Sequence, residues 1–203
     1  MLQHLQGIIF DLDGTLVDSQ LDFSAMRRET GCPEDVGLLE FVAQLELATQ
    51  REQAMAIIHR HEMAGAEAAR WMPGAEAALL YLREAGLPVG VVTRNSKAAA
   101  EYTFRALKAP PVELVAREDA RPKPDPDGLL QLAARWRLPP SALAYVGDFR
   151  FDLEAAREAG MPSVLYLQPD NAGYADEADV VIRHFDELVN MLPLRTASRP
   201  TPA

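Results

Sequence analysis

A single cysteine, Cys32, stands among 203 residues, so no disulfide can form within the chain. A reducing compartment fits that count. No stretch approaches the roughly 20 consecutive apolar residues that a bilayer demands. The first residues, Met1 to Gln6, lack the basic start and apolar run of a secretory signal. The expectation is a cytoplasmic protein with no membrane contact. Basic residues are also scarce: 20 against 30 acidic ones, for a formal charge of −10. A nucleic-acid binder needs a basic face to displace counterions, so no nucleic-acid partner is expected. His and Cys form no cluster, which argues against zinc. Internal repeats are absent.

What remains is a chain of ordinary apolar content, long enough for one sizeable core and a small satellite. Short apolar runs punctuate it at residues 7–10, 88–92, 142–146, 162–167 and 179–182, with a weaker one at 111–115. Most lack polar alternation, as strands covered on both faces do. Helical patterns fall between them. Residues 75–85 stop at Gly86 and 151–159 stop at Gly160; Ser96 is placed to cap a helix through Leu107, and residues 126–136 form another. Alternating strands and helices predict a Rossmann-like, three-layer α/β fold with a parallel sheet.

One interval breaks the rhythm. A strand–helix–strand unit takes about 30 residues, yet far more separate Phe10 from Pro88. The surplus is rich in Ala, Leu, Glu and Gln, with apolar faces over 38–47 and 54–69. It predicts a small all-helical cap over residues 17–72, inserted into a core made of 1–16 and 73–194. Residues 195–203 are expected to be a disordered tail.

Ligands of open parallel sheets bind beyond the carboxyl ends of the strands. Beyond the first run lies Asp11-Leu12-Asp13-Gly14-Thr15, and beyond the second Thr93-Arg94-Asn95-Ser96. Arg121-Pro122-Lys123-Pro124-Asp125 precedes a helix, and Gly147-Asp148-Phe149-Arg150-Phe151-Asp152 follows the run at 142–146. Four carboxylates converging on one lysine would raise one another's pKa. A divalent cation relieves that crowding, and magnesium favours oxygen ligands of this kind. A carboxylate can attack phosphorus to form an aspartyl phosphate. Asp13, two residues on from Asp11, is placed to act as acid and then base. Thr93, with Arg94, Asn95 and the amides beside them, is assigned to phosphate oxygens, and Lys123 to the developing phosphoryl charge. Plainer readings exist: an Asx turn for Asp11 and Asp13, a strand-end cap for Thr93, a solvated Lys123, and a helix cap for Asp152.

In this order the four segments resemble the haloacid dehalogenase superfamily, in its phosphoglycolate-phosphatase-like branch with a helical cap after the first motif. The resemblance implies that Asp11 is the nucleophile and Asp13 the acid/base. It implies further that Thr93 and Lys123 are the second and third motif residues. Asp148 and Asp152 match the acidic fourth. Mg2+ would be held by Asp11, the carbonyl of Asp13 and Asp148, with Asp152 as a ligand or acting through water. Asp13 favours phosphoryl over dehalogenase chemistry, because an alkoxide leaving group needs a proton. Phe149 departs from the small hydroxyl residue common after the fourth-motif aspartate.

The expected activity is therefore hydrolysis of a small phosphorylated metabolite, phosphoglycolate or sugar-phosphate-like. The alternatives are a phosphomutase of β-phosphoglucomutase type and a non-catalytic binding or regulatory protein on the same fold. Among Arg27, Arg28, His59 and His61, Arg27 is the preferred substrate contact from the cap. The assembly is expected to be a monomer or homodimer.

Overall fold

The computed structural model describes residues 2–192; the tail expected over 195–203 lies outside them. Six strands make one parallel sheet in the order β5-β4-β1-β6-β7-β8. These are β1 (Gly7–Phe10), β4 (Val89–Val92), β5 (Glu113–Val115), β6 (Leu143–Gly147), β7 (Ser163–Tyr166) and β8 (Val180–Ile182). Helices α4 (Ala75–Glu84), α5 (Lys97–Ala106), α6 (Asp127–Trp136), α7 (Arg150–Ala159) and α8 (Phe185–Met191) cover its two faces. Sheet and helices form the three-layer α/β fold the sequence predicts. The Ser96 side chain accepts from Ala99 N, capping α5.

Strand periodicity explains the apolar runs. All four residues of β1 are buried. Ile8 and Phe10 point to one face, packing with Leu79, Leu82 and Phe185. Ile9 points to the other, with Leu129, Leu132 and Ala156. Full burial of each such side chain is worth about 1.5–3 kcal/mol, so neither face of the strand tolerates polar alternation. Along β6, Ala144 and Val146 join the first cluster and Leu143 and Tyr145 the second.

The long interval holds three helices: α1 (Phe23–Thr30), α2 (Leu38–Gln44) and α3 (Ala48–Ala68). It is not purely helical. Its two ends pair as an antiparallel ribbon, β2 (Val17–Asp18) with β3 (Arg70–Trp71), in which Val17 faces Trp71. Met72 N donates to Leu16 O at 2.9 Å just beyond the ribbon. Chain entry and exit are thereby tied together at the sheet's carboxyl end. Beside them lies the switch in strand order, where β1 pairs with β4 on one side and β6 on the other.

Candidate active site

Asp11 follows β1 directly, and its amide donates to Val146 O of β6 at 2.8 Å. The carboxylate is therefore fixed by the two central strands. Lys123, only 4% exposed, reaches in from the loop before α6. Its Nζ donates to Asp11 Oδ1 and to Asp152 Oδ1, both at 2.6 Å. Asp152 is in turn anchored by two further donors. The Tyr145 hydroxyl lies 3.1 Å from its Oδ1 and 3.0 Å from Val92 O, and Phe149 N donates to its Oδ2 at 2.9 Å. Gly147 makes this possible, because a Cβ there would meet Asp152 Cβ and Cγ at 2.3 Å.

Asp148 sits on the other side of Asp11 and accepts from Thr15 Oγ1 at 2.9 Å. The loop between Asp11 and Thr15 must turn sharply beneath it. Gly14 does so with φ +83°, and a Cβ at that position would lie 2.4 Å from Asp148 Oδ2. Asn171 Nδ2 donates to Asp148 O, and Gln168 Nε2 to Gly14 O, so both backbones are held from the β7–β8 connection.

Carboxylate oxygens of Asp11, Asp148 and Asp152 come within 4.8 Å of one another. Burial raises Asp11 well above the usual carboxylate range; Lys123 opposes this, and Asp152 and Asp148 add to it. Burial, reinforced by the Asp152 charge, also lifts Asp148, to about 7. Burial alone would pull Lys123 down, but the Asp11 and Asp152 charges and hydrogen bonds leave it raised and cationic. One ammonium thus faces three close carboxylates. An all-oxygen donor set with excess negative charge fits a hard divalent cation. Asp11 and Asp148 have the freer oxygens. Asp152 already serves three donors, so its role in holding such an ion would be indirect.

Asp13 lies apart from this cluster, and both of its oxygens are held. Ser19 Oγ donates to Oδ1 at 2.6 Å and Asn95 Nδ2 to Oδ2 at 3.0 Å. Burial raises Asp13, and the two hydrogen bonds only partly offset it. A carboxyl raised by burial and fixed in direction suits proton transfer.

The structure brings Asp11, Asp13, Thr93, Asn95, Lys123, Asp148 and Asp152 to one cavity of about 420 Å³. Thr93 Oγ1 accepts from Asn95 N at 3.0 Å. Arg94 and Arg27 also line the cavity, but both are engaged within the protein. Arg94 Nη2 meets both oxygens of Glu40 at 2.7 Å, its Nη1 donates to Lys123 O, and its guanidinium lies 4.9 Å from the Phe151 ring centroid. Arg27 Nη1 donates to Pro33 O at 2.5 Å and Val36 O at 2.6 Å. His59 Nδ1 lies 3.3 Å from Ser96 Oγ, whereas His61 pairs with Glu29. Phe149 stands beside the cavity mouth, its ring edge-on to Phe151 and Tyr174. Sequence reasoning missed Tyr145, Ser19, and the Glu62–Arg117 pair between α3 and the loop after β5. For Thr15 the motif itself carried a signal; for the others no local pattern marks the partner.

A haloacid dehalogenase-like hydrolase family model matches residues 5–160. The chain belongs to the haloacid dehalogenase-like hydrolases. Hexitol phosphatase A of Escherichia coli is 30% identical over 202 residues, covering 90% of this chain and 93% of that protein. A phosphoglycolate phosphatase of Xanthomonas campestris pv. campestris is 30% identical over 208 residues, covering 90% and 94%. The crystal structure of a hydrolase from Pseudomonas syringae shares the fold, with a TM-score of 0.74, 24% identity and coverage of 91% and 96%. Among the described residues no helix is long and apolar enough to cross a membrane.

Proposed function

We propose that this haloacid dehalogenase-like hydrolase cleaves small phosphomonoesters through a phosphoryl group carried on Asp11, with magnesium as its cofactor. The observation that carries the reading is the pairing of Asp11 with Lys123 at 2.6 Å beside a separately held, raised Asp13. The Lys123 ammonium, and a cation bound between the carboxylates, favour ionised Asp11 against the burial that raises it, whereas at Asp13 burial outweighs the hydrogen bonds. A nucleophile and a proton donor two residues apart are the two groups the reaction needs.

Asp11 attacks phosphorus, and the bond to the ester oxygen breaks. Asp13 gives its proton to that departing oxygen, releasing the alcohol. Asp13, now a carboxylate, takes a proton from water as the water attacks the aspartyl phosphate. Inorganic phosphate leaves, and both side chains return to their starting states. Lys123 holds positive charge against the phosphoryl oxygens throughout. Thr93 and the amides leading into α5 offer donors to the same oxygens. Magnesium, held by Asp11, Asp148 and the carbonyl of Asp13, would screen the charge gathered between the carboxylates and the phosphate. Ser19 and Asn95 keep Asp13 aimed. The helices between β2 and β3 act as a cap that encloses the substrate and excludes bulk water.

Relatives named for hexitol and phosphoglycolate phosphatase activity support a small phosphorylated metabolite as substrate. Phosphate release from a metabolite panel, with and without magnesium, tests the reading against Asp11→Asn. Release by the wild type alone is expected. Equal activity in both proteins contradicts it, and interconversion of sugar phosphates without phosphate release would mark a mutase.

A further inference from the structure

The cavity has two unlike walls. The sheet side carries the carboxylates, Thr93 and Lys123, all used by the phosphoryl group and the cation. The insertion side is built from carbon: Leu21, Phe23, Met26, Leu38, Leu39 and Ile58 line it. Only two charged side chains of the insertion reach this cavity, Arg27 and Glu62, and each already has partners. Pro33 and Val36 carbonyls hold Arg27 Nη1. Arg117 grips both oxygens of Glu62, at 2.5 and 3.1 Å. Arg94, on the core side, is clamped by Glu40 and the Lys123 carbonyl. Beyond it stand the rings of Phe149 and Phe151, 5.1 Å apart edge to face. Phe23 is 55% exposed and Phe149 42% exposed, although both are large apolar side chains at the mouth of a site. Exposed apolar groups gathered around a cavity mark a binding surface.

We infer that the preferred substrate is the phosphomonoester of a weakly polar, ring-bearing alcohol. This rests on the phosphomonoester reading above. A sugar or polyol would press its hydroxyls against carbon and lose their bonds to water without replacement. A substrate with a second anionic group needs a cation, and each arginine facing the cavity already holds a carboxylate or a carbonyl. Recruiting one would break a contact that ties the insertion to the core or to itself. An aromatic or alicyclic ring needs no such partner. It would lie between Phe23, the leucines of α2 and the Phe149–Phe151 pair. The volume of about 420 Å³ falls within the range of about 300–1,000 Å³ of cavities that enclose drug-sized ligands, far more than a two-carbon acid fills.

The test compares kcat/KM for phenethyl phosphate, glycerol phosphate, sorbitol phosphate and phosphoglycolate, with magnesium. All are esters of primary alcohols, so leaving-group chemistry differs little. Phenethyl phosphate is expected to lead by at least about tenfold, the discrimination that one or two methylenes in an apolar pocket supply. Phe23→Ser and Leu39→Asn are each expected to shrink that ratio by about the same factor. A lead for phosphoglycolate or sorbitol phosphate overturns the inference and leaves the phosphatase reading intact. A lead for phenethyl phosphate that survives both substitutions contradicts the assignment of this wall. Release from none of these esters, nor from acetyl phosphate, overturns inference and reading together.

Discussion

Lys123 Nζ lies 2.6 Å from Asp11 Oδ1, and the same atom lies 2.6 Å from Asp152 Oδ1. Asp152 therefore holds the lysine that holds Asp11, the proposed nucleophile. Replacing Lys123 by Met removes the ammonium that faces three close carboxylates. The expected loss is about 10²–10³ in kcat, the size of deleting one preorganised charge-stabilising donor. Steady-state phosphate release measures it; a loss under tenfold contradicts the role given to Lys123.

Asp13→Asn separates acid catalysis from nucleophilic attack. Alkyl phosphates need a proton on the leaving oxygen, whereas acetyl phosphate does not. The substitution is expected to slow release of an alkyl leaving group by about 10²–10⁴. Appearance of acetate in the first turnover of acetyl phosphate should suffer far less. Equal losses in both assays contradict the acid role.

Tyr145→Phe tests the support behind Asp152. The hydroxyl stands within 3.1 Å of both Val92 O and Asp152 Oδ1, inside the core. Losing it is expected to cost about 0.5–1.5 kcal/mol of stability, read by urea denaturation, together with a modest fall in kcat. No change in either contradicts the account.

The legible part of the fold was the part covered on both faces. Strands β1, β4 and β6 left apolar runs without alternation because Ile8 and Ile9 are buried on opposite sides. Carboxylates directly after such runs were readable as a site for the same reason: the sheet's carboxyl end gathers them. Short elements that lack an apolar run of their own were not readable. The ribbon of β2 with β3 has two residues per strand, too few for any period, and α8 has seven residues. Partner choice was equally hidden. Glu62 and Arg117 are 55 positions apart and Glu40 and Arg94 are 54 apart, and no spacing rule says which carboxylate meets which arginine. Arg27 looked free because its helix starts the insertion. The left-handed turn at Gly31 brings the chain back and offers the Pro33 and Val36 carbonyls to it. Tyr145 lies in the apolar run at 142–146 and is buried, and nothing in that run marks the second task of its hydroxyl.

The Glu62–Arg117 pair joins α3 to the core with both side chains largely buried. Removing one partner leaves a buried charge uncompensated, at about 3–5 kcal/mol. Glu62→Leu and Arg117→Met are each expected to destabilise the protein more than the double substitution does. A urea-denaturation cycle measures the coupling; additive losses contradict it.

Magnesium should stabilise the protein more as pH rises. Asp148 titrates at about 7 in the folded protein against an ordinary 3.8. The unfolded chain releases that proton first, so raising the pH from about 4 to 7 weakens the metal-free fold. A bound cation favours the ionised carboxylate and removes the penalty. The thermal-midpoint gain on adding magnesium is expected to grow between roughly pH 5 and 8; a flat or falling gain contradicts the assignment of Asp148 as a ligand.

The proposed chemistry turns on a phosphoryl group carried on Asp11. Acid-quenching the Asp13→Asn protein during turnover of radiolabelled acetyl phosphate, followed by peptide mapping, tests it most directly. A hydroxylamine-labile label is expected on the peptide bearing Asp11, and none when Asp11→Asn is added. A label on any other residue, or phosphate release by Asp11→Asn at the wild-type rate, would contradict it.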